Sequence, residues 1–267
     1  MLIVVLCALL GLAVGSFLNV VVWRVPRGES VVSPPSACPA CGARIRARDN
    51  VPIVSWLVLH GRCRDCRARI SRRYPLVELV TALLFAATAW WAVLRPGTTL
   101  DAPGSVVLLA HLVLVALAVS LTLIDLDVHR LPDVIVLPGI AAAVVLLALA
   151  ASLSAQWGSL LRALIGGAVL FVAYFLMLIA YPRGMGFGDV KLAGLIGLYL
   201  GWQGWGAVVV GGFAAFLLGG LYAVVLLLRR RAGRGSGIPF GPWMLLGAGI
   251  GLTAGESMWQ GYLGLFS

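Results

Sequence analysis

The chain has 267 residues, of which 61% are hydrophobic and only 11% are charged, and its mean hydropathy is +1.02. No soluble globular domain of this length has such a composition, so the sequence predicts an integral membrane protein. The formal net charge of +10 is interpreted as a sign of membrane topology and of attraction to lipid headgroups, and not of nucleic-acid binding.

The predicted fold is an all-α polytopic membrane protein with about eight transmembrane helices and a small insertion after the first helix. The first apolar run has no basic segment before it and is followed by Arg24 and Arg27, so it is predicted to be a retained helix and not a cleaved signal. The sixth run is shorter than the roughly 20 residues that a full span needs. The predicted spans are residues 2–23, 76–94, 105–124, 134–152, 159–181, 189–201, 204–228 and 239–264.

The distribution of basic residues predicts the orientation. If residues 24–75 are cytoplasmic and the helices alternate, 18 of the 20 lysines and arginines lie on the cytoplasmic side, and only Arg95 and Arg162 lie outside. This asymmetry follows the positive-inside rule and places both ends of the chain on the outer side.

The polar insertion, residues 24–75, contains four cysteines in the pattern C-x2-C-x21-C-x2-C. About fifty residues bury too little apolar surface for a stable core, so another interaction must hold this segment together. Two close cysteine pairs supply the four thiolates of a tetrahedral structural Zn²⁺ site, whereas a reducing cytoplasm disfavours disulfides. The predicted ligands are Cys38, Cys41, Cys63 and Cys66.

Acidic residues cluster at two predicted helix ends on the cytoplasmic side. The segment TLIDLDVHRLPD (122–133) contains Asp125 and Asp127, and Asp189 begins the sixth span. If these helix ends pack together, two facing carboxyl groups would share a proton, and such a pair can hydrolyse a peptide by general acid–base chemistry. Because Asp125 and Asp127 point about 200° apart on a helix, only one of them can face Asp189.

Three alternating glycines precede Asp189, at positions 184, 186 and 188. Without Cβ atoms they allow close approach of another backbone or a substrate strand, and the helix start favours a carboxylate. Simple helix packing through small residues also explains the glycines, but not the acid. A nucleotide or S-adenosylmethionine loop would require a βαβ context, which the flanking membrane helices exclude.

Several further motifs complete a pattern that resembles one family, the type IV prepilin peptidases, which are GxGD-type membrane aspartyl proteases. The resemblance implies that Asp125 and Asp189 are the catalytic pair. Helix geometry alone leaves Asp127 as the alternative to Asp125. The resembling segments are GSFLNVVVWRVP (15–26), RDNVPIVSWLVLHGRCRDC (48–66), SRRYPLVEL (71–79), LIDLDVHRLPD (123–133), GMGFGDVKLAG (184–194) and IPFGPW (238–243), together with both cysteine pairs.

This resemblance also implies the reaction and its place. The expected substrates are type IV prepilins and type II secretion pseudopilins, whose short basic leader is cleaved at the cytoplasmic face of the bacterial inner membrane. The new N-terminus then receives a methyl group from S-adenosylmethionine. The implied division is a first transmembrane helix (1–23), a cytoplasmic zinc-binding domain (24–75) that takes part in methyl transfer, and a membrane aspartyl peptidase core (76–267).

Substrate binding is predicted for Glu78, Asp127, Gly186 and Gly188. Glu78 would meet the basic leader or the free amine of the substrate, and the alternative is a structural ion pair with Arg72 or Arg73. Two rival functions remain: a transporter whose acids line a cation path, and a zinc-ribbon adaptor without chemistry of its own.

Overall fold

The computed structural model describes residues 1–94, 101–182, 184–229 and 239–266. Arg95, Arg183 and the arginines between 230 and 234, which enter the charge argument, lie outside the described residues, as does Ile238 of the IPFGPW motif. The described part of the chain is helical, and its extended segments form only two isolated β-bridges. The predicted all-α class is therefore confirmed.

Ten α-helices are present in the described ranges. They are α1 (Leu2–Arg24), α2 (Val54–Val58), α3 (Arg73–Leu94), α4 (Ala102–Val128), α5 (Asp133–Ser154), α6 (Trp157–Ala180), α7 (Phe187–Gln203), α8 (Trp205–Leu228), α9 (Gly241–Ile250) and α10 (Glu256–Leu263).

Six of these helices are long and apolar enough to cross a membrane: α1, α3, α4, α5, α6 and α8. The chain is thus a multi-pass membrane protein, but the predicted count of eight spans is not confirmed. The sixth predicted span is α7, which has only 17 residues. The last predicted span is divided, because a π-helical turn at Gly251–Gly255 separates α9 from α10.

The chain forms two compact units, residues 1–99 and 100–267. In the first unit α1 packs against α3 at two glycines. A Cβ on Gly11 would lie 2.7 Å from the Ala82 Cα, and one on Gly15 would lie 2.8 Å from the Glu78 Cα. The two helix backbones therefore approach as closely as small residues allow. This packing places α3 in the same unit as α1. The division at residues 23/24 and 75/76 remains a prediction.

The second unit is built around α7. Every residue from 192 to 202 is buried, and α7 contacts α5, α6, α8 and α9. A helix that is apolar on all sides is stable where protein surrounds it. Since protein surrounds residues 192–202, the 17 residues of α7 do not have to match the thickness of the lipid.

Two charged side chains satisfy the backbone where α7 ends and α8 begins. The Arg162 guanidinium donates hydrogen bonds to the carbonyls of Gly201 (2.8 Å) and Trp202 (2.9 Å). The Glu256 carboxylate accepts from the Gly206 N–H at 3.2 Å, at the start of α8. Both charges complement the partial charges of helix ends, and they explain two ionisable residues in otherwise apolar helices.

Candidate functional site

Asp125 lies in the last turn of α4 and is buried. Its Oδ2 accepts a hydrogen bond of 3.0 Å from the backbone N–H of Gly241, the first residue of α9. The start of a helix carries unpaired N–H groups and a partial positive charge, so it favours a carboxylate. Asp127, two residues further along α4, is exposed. The two acids thus have different environments, as their angular separation on a helix requires.

Gly241 leaves room for the Asp125 carboxyl group. A Cβ at position 241 would lie 2.8 Å from the Asp125 Oδ2 and 3.4 Å from the Leu131 Cδ2. The first of these distances is shorter than a van der Waals contact, so a larger residue would displace the acid. Gly241 belongs to the IPFGPW motif, but its pairing with Asp125 could not be predicted because 116 residues separate the two positions.

Asp189 is the third residue of α7 and is half-buried. Its Oδ2 accepts a hydrogen bond of 3.0 Å from the Gly186 N–H, and its own N–H donates to the Gly186 carbonyl at 3.1 Å. The first of these bonds is the half of a capping box that a glycine N-cap allows, and it fixes the Asp189 side chain on the first turn of its own helix. The predicted helix start with its favoured carboxylate is present.

The two acids belong to the same compact unit, and the segments that carry them are in contact. The α4–α5 connection lies beside the start of α7, where a Cβ on Gly188 would be 2.9 Å from the Leu131 Cβ. An ion pair between Lys191 of α7 and Asp133 of α5 joins the same two segments. The acid-bearing helix ends therefore meet at one end of the unit.

The four predicted substrate-binding residues have different surroundings. Glu78 is buried in the first unit, and its Oε2 accepts a hydrogen bond of 2.7 Å from the Ile53 N–H. It therefore anchors the segment that precedes α2. Asp127 and Gly186 are exposed in the second unit, whereas Gly188 packs against the α4–α5 connection.

The four predicted zinc ligands converge in the first unit. All four Sγ atoms lie within 4.8 Å of one another, and the Cys38 and Cys66 Sγ atoms are 3.8 Å apart. A tetrahedral zinc site with Zn–S bonds of about 2.3 Å has sulfurs about 3.8 Å apart. The cluster therefore has the size and the ligand chemistry of a structural Zn²⁺ site.

Two similar turns hold these cysteines. In the first turn the Cys38 N–H donates to the Ala43 carbonyl at 2.9 Å, and in the second the Cys63 N–H donates to the Ala68 carbonyl at 2.8 Å. A residue with positive φ follows each pair, Gly42 (+71°) in the first turn and Arg67 (+60°) in the second. The repeat was not recognised in the sequence because arginine occupies the second left-handed position.

The thiol environment also favours a bound cation. Backbone hydrogen bonds at Ala40 and Cys41 lower the pKa of Cys38 to about 7. At Cys41 a backbone hydrogen bond at Ala43 favours the thiolate, but the adjacent Cys66 and Cys38 thiols raise the pKa to about 12. Neighbouring thiolates repel one another, so a dication is required before all four sulfurs bind in the deprotonated form.

Two ion pairs join the halves of the cysteine-bearing segment. Arg64 forms a bidentate pair with Asp49, with distances of 2.6 to 3.0 Å, and Arg46 pairs with Asp65 at 2.9 Å. The hydrogen bonds from Arg64 lower the pKa of Asp49. Arg64 and Asp65 lie in the second cysteine turn, whereas their partners lie in the segment between the two turns. Both ion pairs therefore connect the second turn to that segment.

The sequence matches two family models. Residues 9–92 match the model described as Bacterial Peptidase A24 N-terminal domain, and residues 112–224 match the Type IV leader peptidase family. No solved structure matches the chain.

Relatives named prepilin leader peptidase/N-methyltransferase are similar over nearly the whole length. The relative from Pseudomonas aeruginosa is 37% identical over 97% of this chain and 93% of its own. The relative from Aeromonas hydrophila is 38% identical, and that from Neisseria gonorrhoeae is 36% identical, each over 96% of this chain and 92% of its own.

Replacing both Cys38 and Cys63 with serine is expected to abolish metal binding, because each half of the site then loses a thiolate. Metal analysis of the purified protein should give about one zinc per chain before the change and none after it. Limited proteolysis should then cut within residues 24–75. Cys7→Ser is the matched control, since Cys7 is buried in α1 outside the cluster. Zinc retained by the double variant would contradict the assignment.

Proposed function

Because the chain belongs to the type IV leader peptidase family, we propose that it cleaves the leader from type IV prepilins and type II secretion pseudopilins and then N-methylates the new N-terminus. The family resemblance inferred from the sequence motifs is confirmed. One observation supports the catalytic assignment most strongly: Asp125 and Asp189 lie at adjoining helix ends, each held by a backbone N–H.

The arrangement suits an aspartyl protease. Both backbone hydrogen bonds end on Oδ2, at Asp125 and at Asp189, and we assign the Oδ1 atoms to the water and the scissile carbonyl of the bound substrate. Two nearby carboxyl groups share one proton, because both cannot easily be charged. The ionised acid removes a proton from the water, and the protonated acid donates one to the substrate during formation and collapse of the tetrahedral intermediate.

The residues beside the acids would contact the substrate. Gly186 is exposed just before α7 begins. A Cβ added at this position would have no neighbouring heavy atom closer than 3.5 Å. An extended peptide can therefore approach this backbone. Exposed Asp127 carries negative charge suited to a basic leader. Glu78 lies in the first unit and is proposed separately to bind the basic leader or the free amine of the substrate, although its hydrogen bond to Ile53 also gives it a structural role.

The four-cysteine segment would support methyl transfer. Zn²⁺ bound by four thiolates has no open position, so its role is to fold the segment and not to activate a substrate. S-adenosylmethionine supplies the methyl group when it is bound. The names of the relatives support this second activity, since they combine a peptidase with an N-methyltransferase.

We place the protein in the bacterial inner membrane with the acids and the zinc-binding segment on the cytoplasmic side and both chain ends outside. The eleven arginines of residues 24–75 support this orientation. Membrane lipid is the expected surrounding of the exposed apolar side chains of α1, α6 and α8. Family membership favours an enzyme over the alternatives of a transporter and a zinc-ribbon adaptor.

The variants Asp125→Asn and Asp189→Asn should each lower kcat for prepilin cleavage by at least about a thousandfold, because an amide cannot act as the base or share the proton. The products are read by mass spectrometry, with thermal unfolding and zinc content measured in parallel. Asp127→Asn is the matched control, with kcat retained and KM for the leader raised. Normal cleavage by either of the first two variants would refute the assignment, and loss of kcat in the third would implicate Asp127.

Two glycine variants should separate substrate binding from packing. Gly188→Ala places a methyl group 2.9 Å from the Leu131 Cβ, so the midpoint of thermal unfolding should fall. Gly186→Ala has room in the folded chain, so stability should be kept while KM for a prepilin rises. A Gly186→Ala enzyme with unchanged KM would remove Gly186 from the substrate site.

The double Cys38→Ser, Cys63→Ser variant should lose methylation before cleavage, because Asp125 and Asp189 lie in the other compact unit. Purified protein is mixed with a prepilin and methyl-labelled S-adenosylmethionine, and the cleaved and methylated products are measured by mass spectrometry. A variant that methylates a synthetic mature N-terminus normally while cleavage is lost would contradict the division of labour.

A further inference from the structure

Leu131 lies between the two helix starts that hold the acids. It is 9% exposed, and its Cβ is 2.9 Å from the position that a Cβ on Gly188 would occupy. Its Cδ2 is 3.4 Å from the equivalent position on Gly241. Gly188 directly precedes Asp189, and Gly241 donates the hydrogen bond to Asp125. One leucine side chain thus contacts both backbones from which the carboxyl groups are positioned.

A second contact keeps the start of α7 against the same connection. Lys191 forms its ion pair with Asp133, which begins α5 only two residues after Leu131. The ion pair draws α7 towards the α4–α5 connection, and the leucine limits how closely it approaches. Because folded interiors are close-packed, a change in the volume of this side chain must move one of the two helix starts.

We propose that Leu131 is a positioning residue that sets the separation of the Asp125 and Asp189 carboxyl groups. This inference rests on the proposed function. Leucine has no group that could take part in the reaction, so its effect is entirely on the geometry of the acids. Displacement by about 1 Å at a catalytic group lowers a rate by up to about a hundredfold.

The pH profile of kcat reports the distance between the Asp125 and Asp189 carboxyl groups. Two carboxyl groups that share a proton give a bell-shaped profile, and its two limbs lie further apart when the groups are closer and repel more strongly. Other ionisable groups face the pair: His129 after α4, Tyr174 from α6, and the Asp133–Lys191 pair of α5 and α7. Exposed Asp127 is nearby on α4, and α9 carries no ionisable side chain.

The profiles are therefore measured in a His129→Asn background, which removes the imidazole. Asparagine tolerates the left-handed backbone of this position, where φ is +53°. Leu131→Ala should bring the two carboxyl groups closer and so widen the pH range between the two limbs of the kcat profile. Leu131→Phe should separate the carboxyl groups and narrow this range. The expected change is about half a pH unit or more in each direction, with kcat lowered at least about tenfold and KM changed much less.

Two controls separate positioning from loss of stability. Leu131→Met keeps the volume and should restore a profile close to that of the parent. Leu147→Ala removes a leucine of α5 that is even more deeply buried, about 21 Å along that helix from Asp133. It should lower the midpoint of thermal unfolding without changing the width of the bell. If the Leu131→Phe variant does not fold, the pH profiles of the Leu131→Ala and Leu131→Met variants are sufficient to test the inference.

Equal widths in the alanine, phenylalanine and parent enzymes would overturn the inference, as would a change in the same direction for both variants. These outcomes are distinct from failure of the proposed function. If Asp125→Asn or Asp189→Asn still cleaves normally, the function is wrong. If both are inactive while Leu131 variants keep the parental width, only the positioning role is wrong.

Discussion

The structure of the second unit depends on backbone N–H groups at helix starts that bind carboxylates. Gly241 at the start of α9 binds Asp125, Gly186 before α7 binds Asp189, and Gly206 in the first turn of α8 binds Glu256. Each bond satisfies an N–H that has no partner within its helix. The same interaction fixes the direction of each acid. Stability and the position of the functional groups thus have one physical origin.

The burial of α7 determines where Asp189 lies, because this acid is in the first turn of the helix. Because protein surrounds residues 192–202, the helix cannot tilt or shift as a lipid-exposed segment could. The Asp189 side chain, three residues into α7, is therefore placed by the packing of the whole unit. The Leu131 contacts and the Lys191–Asp133 pair then define its position relative to the end of α4. Side chains supported in this way are held more firmly than side chains on loops.

The local features of this protein and the convergence of its two cysteine pairs could be predicted from its sequence, whereas the backbone partners of its acids could not. Apolar runs predict the helices, the spacing of Cys38 and Cys41 predicts a metal turn, and helical geometry separates Asp125 from Asp127. By contrast, the pairing of Gly241 with Asp125 joins positions 116 residues apart, and no local pattern encodes it. The eight-span count was not confirmed because hydropathy does not distinguish a helix enclosed by protein, such as α7, from one that lipid surrounds.

The Arg162 hydrogen bonds have a consequence for biogenesis. Its guanidinium binds the carbonyl of Gly201, which lies 39 residues later in the chain, so α6 emerges from the ribosome before its partner exists. An unmatched guanidinium is unfavourable within hydrocarbon and is tolerated near the headgroups. Until α7 has been synthesised the guanidinium therefore has to stay near the headgroups, and its two hydrogen bonds form only when α6 and α7 pack together.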